Sequence, residues 1–236
     1  REIMARTIAA LVRHGEYHQQ ADTPSAHQPY ALTAEGKAEV HTEVDSFAVL
    51  LEQHSLSIAE RVDSSNMLRA WQTAIIFVEK LYQHQMPSML IDSHDALAER
   101  GLGSVANMTI RQIEKVIVED PRYEEPPLDW KSNSHYCLPF QGAESLIQAG
   151  VRVAEHLQQQ MHKLRDEASV DTVKLFVGHG AAFRHAAYRL GILQFEQLAQ
   201  FSMFHARPVL IEYLDDGSWR HIGGDWKIRS AGNGLD

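Results

Sequence analysis

Two short apolar runs in this chain each stop abruptly at a histidine beside glycine. Thr7-Ile8-Ala9-Ala10-Leu11-Val12 runs into Arg13-His14-Gly15, and Val173 to Val177 runs into Gly178-His179-Gly180. Apolar runs of this length, bounded by polar or glycine residues, read as buried strands ending in polar loops. Between them, strand and helix patterns alternate. Thr33 is placed to cap a helix that runs to about Gln53, with Val40, Val44, Phe47, Leu50 and Leu51 at helical spacing. Ile58 to Asp63 reads as a second strand with Ser64-Ser65 at its end. A helix from about Met67 to Gln83 follows, and Ser88 to Ile91 is a weak third strand.

Thr109 to Glu119 reads as a helix stopped by Pro121. Residues 121–142 carry four prolines together with Tyr123, Trp130, Tyr136 and Phe140, a covering segment rather than a linker. Ala143-Glu144-Ser145 opens a helix to about Asp166, and another runs from about Ala182 to Leu190. Val209 to Leu214 and Trp219 to Ile222 flank Asp215-Asp216-Gly217-Ser218, a hairpin signal. Strands alternating with helices predict an α/β fold, a three-layer α/β/α sandwich around a mostly parallel sheet. The 236 residues are read as a single domain with an irregular insertion at about 101–142. The hairpin strands offer a sheet edge for a possible homo-oligomer.

Composition removes several classes. Acidic residues outnumber basic ones 31 to 22, which argues against a nucleic-acid partner. No apolar run reaches the roughly 18 residues of a membrane span. Arg1-Glu2-Ile3-Met4 has no apolar signal core, and position 1 is not methionine, so the native start is expected to be missing. One cysteine, Cys137, precludes an internal disulfide and fits a reducing compartment, so the expected location is cytoplasmic. The lone cysteine also rules out cysteine-rich zinc sites, and no His-Glu-x-x-His motif occurs; neither a catalytic metal nor another cofactor is expected.

In layered α/β folds, ligands bind beyond the carboxyl ends of the strands. Arg13 and His14, Ser64, Ser65 and Arg69, Glu99, and His179 all fall there, from four separate segments. Arginine forks match phosphate oxygens. A deprotonated histidine nitrogen can attack phosphorus, and a carboxyl group can serve as acid. Two arginines, two histidines and a carboxylate therefore suit metal-free phosphoryl transfer to nitrogen, the arginines neutralising the developing charge.

The same segments resemble, in order, the motifs of the histidine phosphatase superfamily, the phosphoglycerate-mutase-like proteins. They are Leu11-Val12-Arg13-His14-Gly15-Glu16, Leu32 to Gly36, Ser64 to Ala74 around Arg69, Leu97 to Gly103 around Glu99, Gly142 to Ser145, and Phe176 to Gly180 around His179. The resemblance implies that His14 is the nucleophile that becomes a phosphohistidine. Glu99 would protonate the leaving oxygen and then help activate water. Arg13, Arg69 and His179 would hold the phosphoryl oxygens. It implies a phosphoric monoester hydrolase. Glu16 is a second nearby carboxylate.

Blander readings stand beside these. Ser64 and Ser65 can cap the following helix as well as touch phosphate. Glu144 and Ser145 read as helix-start residues. Trp130, Tyr136 and Phe140 read as packing the insertion rather than lining a pocket. Within the superfamily, phosphoglycerate mutases follow the first motif with a Trp-Asn-containing stretch; here Glu16-Tyr17-His18-Gln19-Gln20-Ala21-Asp22 departs from it, which favours a phosphatase over a mutase. Tyr17-His18 and His179 to His185 resemble the mitochondrial serine/threonine phosphatase branch. The substrate is thus either a phosphorylated small molecule or a phosphoprotein. A non-catalytic relative that binds a phosphorylated partner is the alternative from another class.

Overall fold

The computed structural model describes residues 4–24, 26–83 and 85–230. Arg1 to Ile3, on which the reading of the N-terminus rests, lie outside the described residues. The elements in chain order are β1 (Thr7–Arg13), α1 (Ala34–Gln53), β2 (Ser57–Ile58), β3 (Val62–Ser65), α2 (Leu68–Tyr82), β4 (Ile91–His94), α3 (Ile110–Glu119), α4 (Leu146–Glu167), β5 (Thr172–Gly178), α5 (Gly180–Arg189), α6 (Gln197–Gln200), β6 (Phe201–Ser202), β7 (Val209–Tyr213), β8 (Trp219–Gly223) and β9 (Lys227–Ile228).

A seven-stranded sheet runs in the order β4-β3-β5-β1-β7-β8, with β2 paired to β5. Its pairings are parallel from β4 through β1 and antiparallel at β1–β7 and β7–β8. The centre of the sheet shows why the two apolar runs need no polar face. Alternate residues of a strand point to opposite sides. Ile8, Ala10 and Val12 of β1 join Val173, Leu175 and Val177 of β5 in one core with α1 and α2. Ala9, Leu11 and Phe176 pack the other face against Val153, Leu157 and Met161 of α4 and Phe183 of α5. Helices therefore cover both faces of a mixed, largely parallel sheet.

Helix starts follow their local chemistry. Thr33 caps α1, its hydroxyl accepting from Gly36 N. Ser145 and Gln148 form a reciprocal capping box on α4, and Thr109 with Gln112 does the same for α3. The hairpin closes as expected, with Gly217 at φ +82° and the Asp216 carboxylate accepting from Ser218 N and Oγ.

Two strands differ from expectation. The run Ile58 to Asp63 is broken into β2 and β3: β2 pairs with β5 up to Ile58 opposite Val173, the chain bends at Glu60, and pairing resumes with Asp63 opposite Phe176. Ser64 and Ser65 consequently lie inside β3 rather than after it. Pro87–Leu90 forms a 3-10 turn, proline sitting comfortably in the first turn, and the strand begins only at Ile91. The short β6–β9 pair was not expected.

The segment 101–142 builds a small core of its own. Trp130 is fully buried there against Ile113, Ile117, Leu102 and Leu138, and its Nε1 donates to Glu114 Oε1 at 3.0 Å. Tyr123 and Phe140 meet edge to face. Packing, not pocket lining, is the role of these aromatics. Cys137 is a free, exposed thiol. Among the described residues no helix is long and apolar enough to cross a membrane.

Candidate active site

Strand register assembles the site. Arg13 pairs with Gly178 across β1 and β5, so the next residues, His14 and His179, emerge side by side, and His14 N donates to Gly178 O at 3.0 Å. Their ring centroids are 5.3 Å apart. Ser64 pairs with Val177, which brings Ser65 to the same edge.

His14 is buried. Its Nδ1–H donates to Gly15 O at 2.8 Å, since a carbonyl can only accept; this fixes the tautomer and leaves the lone pair on Nε2. Burial, reinforced by neighbouring His179, Arg69 and Arg13, holds its pKa well below the ordinary histidine value, so the ring is neutral. Gly15 N donates to Thr73 Oγ1 at 3.0 Å, tying the loop to α2. A Cβ on Gly15 would stand 2.7 Å from the Val40 side chain, so only glycine allows α1 to approach.

The histidine partner is equally constrained. Its Nδ1 lies 3.3 Å from Arg69 Nη2, which can only donate, so Nδ1 accepts and Nε2–H donates to Ser65 Oγ at 2.8 Å. Burial, then the Arg69 and Arg13 charges, hold the His179 pKa well below its ordinary value. Arg69 is wholly buried. Its Nη1 donates to Gln28 O and its Nη2 to Ala26 O, while its guanidinium lies 4.6 Å over the Tyr17 ring. Tyr17 in turn meets the His14 ring edge-on at 5.4 Å. Arg13 Nη1 donates to Met203 O.

Glu99 arrives from the loop after β4. Its Oε2 accepts from Ala181 N in the first turn of α5, and its Oε1 accepts from Arg100 N. A carboxylate is favoured at that helix end. The loop itself is pinned by Arg152 of α4, whose Nη1 donates to Ala96 O and Ala98 O and whose Nη2 pairs with Glu144. Glu144 also accepts from Gly101 N. Glu16, the other nearby carboxylate, is exposed and accepts from Thr33 Oγ1. Ser65 Oγ accepts from Met67 N at 3.3 Å as well as from His179, while α2 has no side-chain cap of its own.

A cavity of about 560 Å³ opens beside Glu99. Arg100, Lys131, Ser134 and Phe195 contribute to its walls, and none of Arg13, His14, Arg69 and His179 does. Glu99 therefore stands at the junction of the histidine–arginine group and this cavity. Arg100 is buried, with Nη2 donating to Lys131 O.

All five residues singled out from the sequence, Arg13, His14, Arg69, Glu99 and His179, occupy this one end of the sheet. Sequence reading assigned no site role to Arg152 or to His205, whose ring lies 6.1 Å from that of His14. Thr73 and Arg100 lie inside recognised motifs and Tyr17 just after one, but none of the three was given a role.

Comparison with known proteins identifies the family. Residues 9–222 match the model of the histidine phosphatase superfamily, branch 1. The chain belongs to that superfamily. Among solved structures it is similar to a mycobacterial glucosyl-3-phosphoglycerate phosphatase (TM-score 0.63, 18% identity, 96% of this chain and 100% of that one). It is also similar to a structure described as mycobacterial hydrolase 2 (TM-score 0.67, 18% identity, 98% and 95%). A third is a phosphoserine phosphatase from Entamoeba histolytica (TM-score 0.60, 15% identity, 94% and 98%). No relative was found among curated protein sequences. At these identities the structural likeness concerns the fold.

Proposed function

We propose that this protein is a phosphatase that hydrolyses phosphomonoesters without a metal, through a phosphohistidine on His14. One observation carries the reading: a buried, neutral His14 whose Nδ1 is committed to Gly15 O and whose Nε2 keeps its lone pair beside two arginines. In this reading His14 Nε2 attacks phosphorus as the ester P–O bond breaks. Arg13 and Arg69 take the equatorial oxygens, their forks aimed by carbonyl anchors. His179 gives its Nε2–H to a phosphoryl oxygen in exchange for Ser65. Glu99 protonates the departing alcohol, then takes a proton from the water that attacks the phosphohistidine, which restores His14.

The cavity supports a phosphorylated small molecule over a phosphoprotein. Leaving groups on the Glu99 side enter a concave space walled by Asp129 and 131–135 of the insertion and by α5. The test is phosphate release from an aryl phosphomonoester in excess EDTA. Release by the native chain and a loss of about 1,000-fold or more in His14→Ala is expected. Release abolished by EDTA, or retained by His14→Ala, would overturn the mechanism. Tight phosphopeptide binding without turnover would instead make the protein a non-catalytic relative.

A further inference from the structure

A second cluster of titratable side chains lies away from His14, on the face of the sheet that packs against α4. Asp63 of β3 is buried, with Oδ2 2.7 Å from His156 Nε2 of α4. His94, the last residue of β4, brings its Nε2 to 3.6 Å from Asp63 Oδ1. The two imidazole rings are 4.5 Å apart. Lys174 of β5 completes the group, its Nζ 3.1 Å from Oδ1 and donating to Arg61 O.

We propose that Asp63, His94 and His156 form a binding site for a zinc-class divalent cation. Two imidazoles with one carboxylate select borderline transition ions over calcium or magnesium, which take oxygen ligands. The three ligand atoms lie within 4.8 Å of one another. A tetrahedral ion with bonds of about 2.1 Å holds its ligands about 3.4 Å apart. The 3.6 Å spacing of His94 Nε2 from Asp63 Oδ1 is close to this, and the 2.7 Å contact of His156 Nε2 with the other carboxylate oxygen, Oδ2, must open. Parallel pairing of β3 with β4, Ser65 opposite His94, presets two ligands on rigid strands. His94 is the one ligand with substantial exposure, 32% of its side chain, and gives the ion its entry and a fourth, water position.

The Lys174 ammonium alone neutralises Asp63. Two further imidazoles with Nε2 converging on the same carboxylate exceed what its charge needs and match what a transition ion takes. Lys174 then sets the affinity: a cation beside a bound cation repels it. The site ties β3, β4 and α4 together. It is structural, and it does not depend on the phosphatase reading.

The test is titration of the metal-stripped full chain with zinc by calorimetry and with cobalt by visible absorption. One equivalent should bind with micromolar affinity and raise Tm. His94→Gln and His156→Gln should each weaken binding by about 30-fold or more, and Lys174→Met should strengthen it about tenfold. His94→Gln, on the partly exposed ligand, decides the matter if His156→Gln does not fold. No binding at about 100 µM zinc, an affinity unchanged in His94→Gln, or no gain in Lys174→Met would overturn the site.

Discussion

Arg69 Nη2 donates to His179 Nδ1 at 3.3 Å, so a buried cation is held against a neutral ring rather than against a carboxylate. The pair places positive charge at the end of the sheet, and the ring that Arg69 donates to carries no charge to cancel it. Its other anchors are the carbonyls of Gln28 and Ala26.

Arg69→Lys tests that arrangement. An ammonium is a point charge and cannot serve two carbonyls, a ring nitrogen and a phosphoryl oxygen in one plane. We expect kcat/KM to fall about 100-fold and stability to fall by about 2 kcal/mol, since buried acceptors lose their donor. Steady-state kinetics and urea unfolding measure both. A variant with native kcat/KM would show that Arg69 does not bind the phosphoryl group.

Glu99→Gln keeps an oxygen for Ala181 N but carries no transferable proton. Alkyl phosphates, whose leaving oxygen needs that proton, should slow by about 100-fold or more, and aryl phosphates by about tenfold or less. Equal losses on both series would remove Glu99 as the acid and return attention to Glu16.

Stability should depend on pH through buried histidines. The pKa of His185 is pushed down to about 4 by burial, and His14 and His179 shift the same way. Below about 6.5 the unfolded chain binds protons that the folded chain refuses, so this contribution is complete above 6.5 and is lost as pH falls toward 4. His185 alone should make the protein about 2 kcal/mol less stable at pH 5 than at pH 7.5. His185→Gln should flatten that part of the profile in denaturant titrations at the two pH values. An unchanged slope would refute the assignment.

Trp130→Ala separates packing from binding. It deletes the largest side chain of the insertion core and leaves Glu114 without its indole donor. A loss of about 3–5 kcal/mol is expected, with KM for a small aryl phosphate within about threefold of native. A large rise in KM with unchanged Tm would instead make Trp130 part of the pocket.

The sequence carries the site more fully than it carries the edges of the fold. Arg13, His14 and His179 are legible because each follows an apolar run, and strand ends in layered folds point to ligands. Thr33, Ser145 and the Asp216-Gly217 turn are legible because capping and turn chemistry are local. The division of Ile58 to Asp63 into β2 and β3 is not, because it depends on which stretch of β5 each half finds. Arg152 is not legible for a similar reason. Beyond Glu144, its partners are main-chain carbonyls more than fifty residues away, and no side-chain pattern announces those.

That last contact has an evolutionary side. Arg152 grips the peptide groups of Ala96 and Ala98, not their side chains. The side chains around Glu99 can therefore drift without loosening the loop that carries it. The same economy concentrates risk, since one guanidinium on α4 holds several of the loop's carbonyls at once.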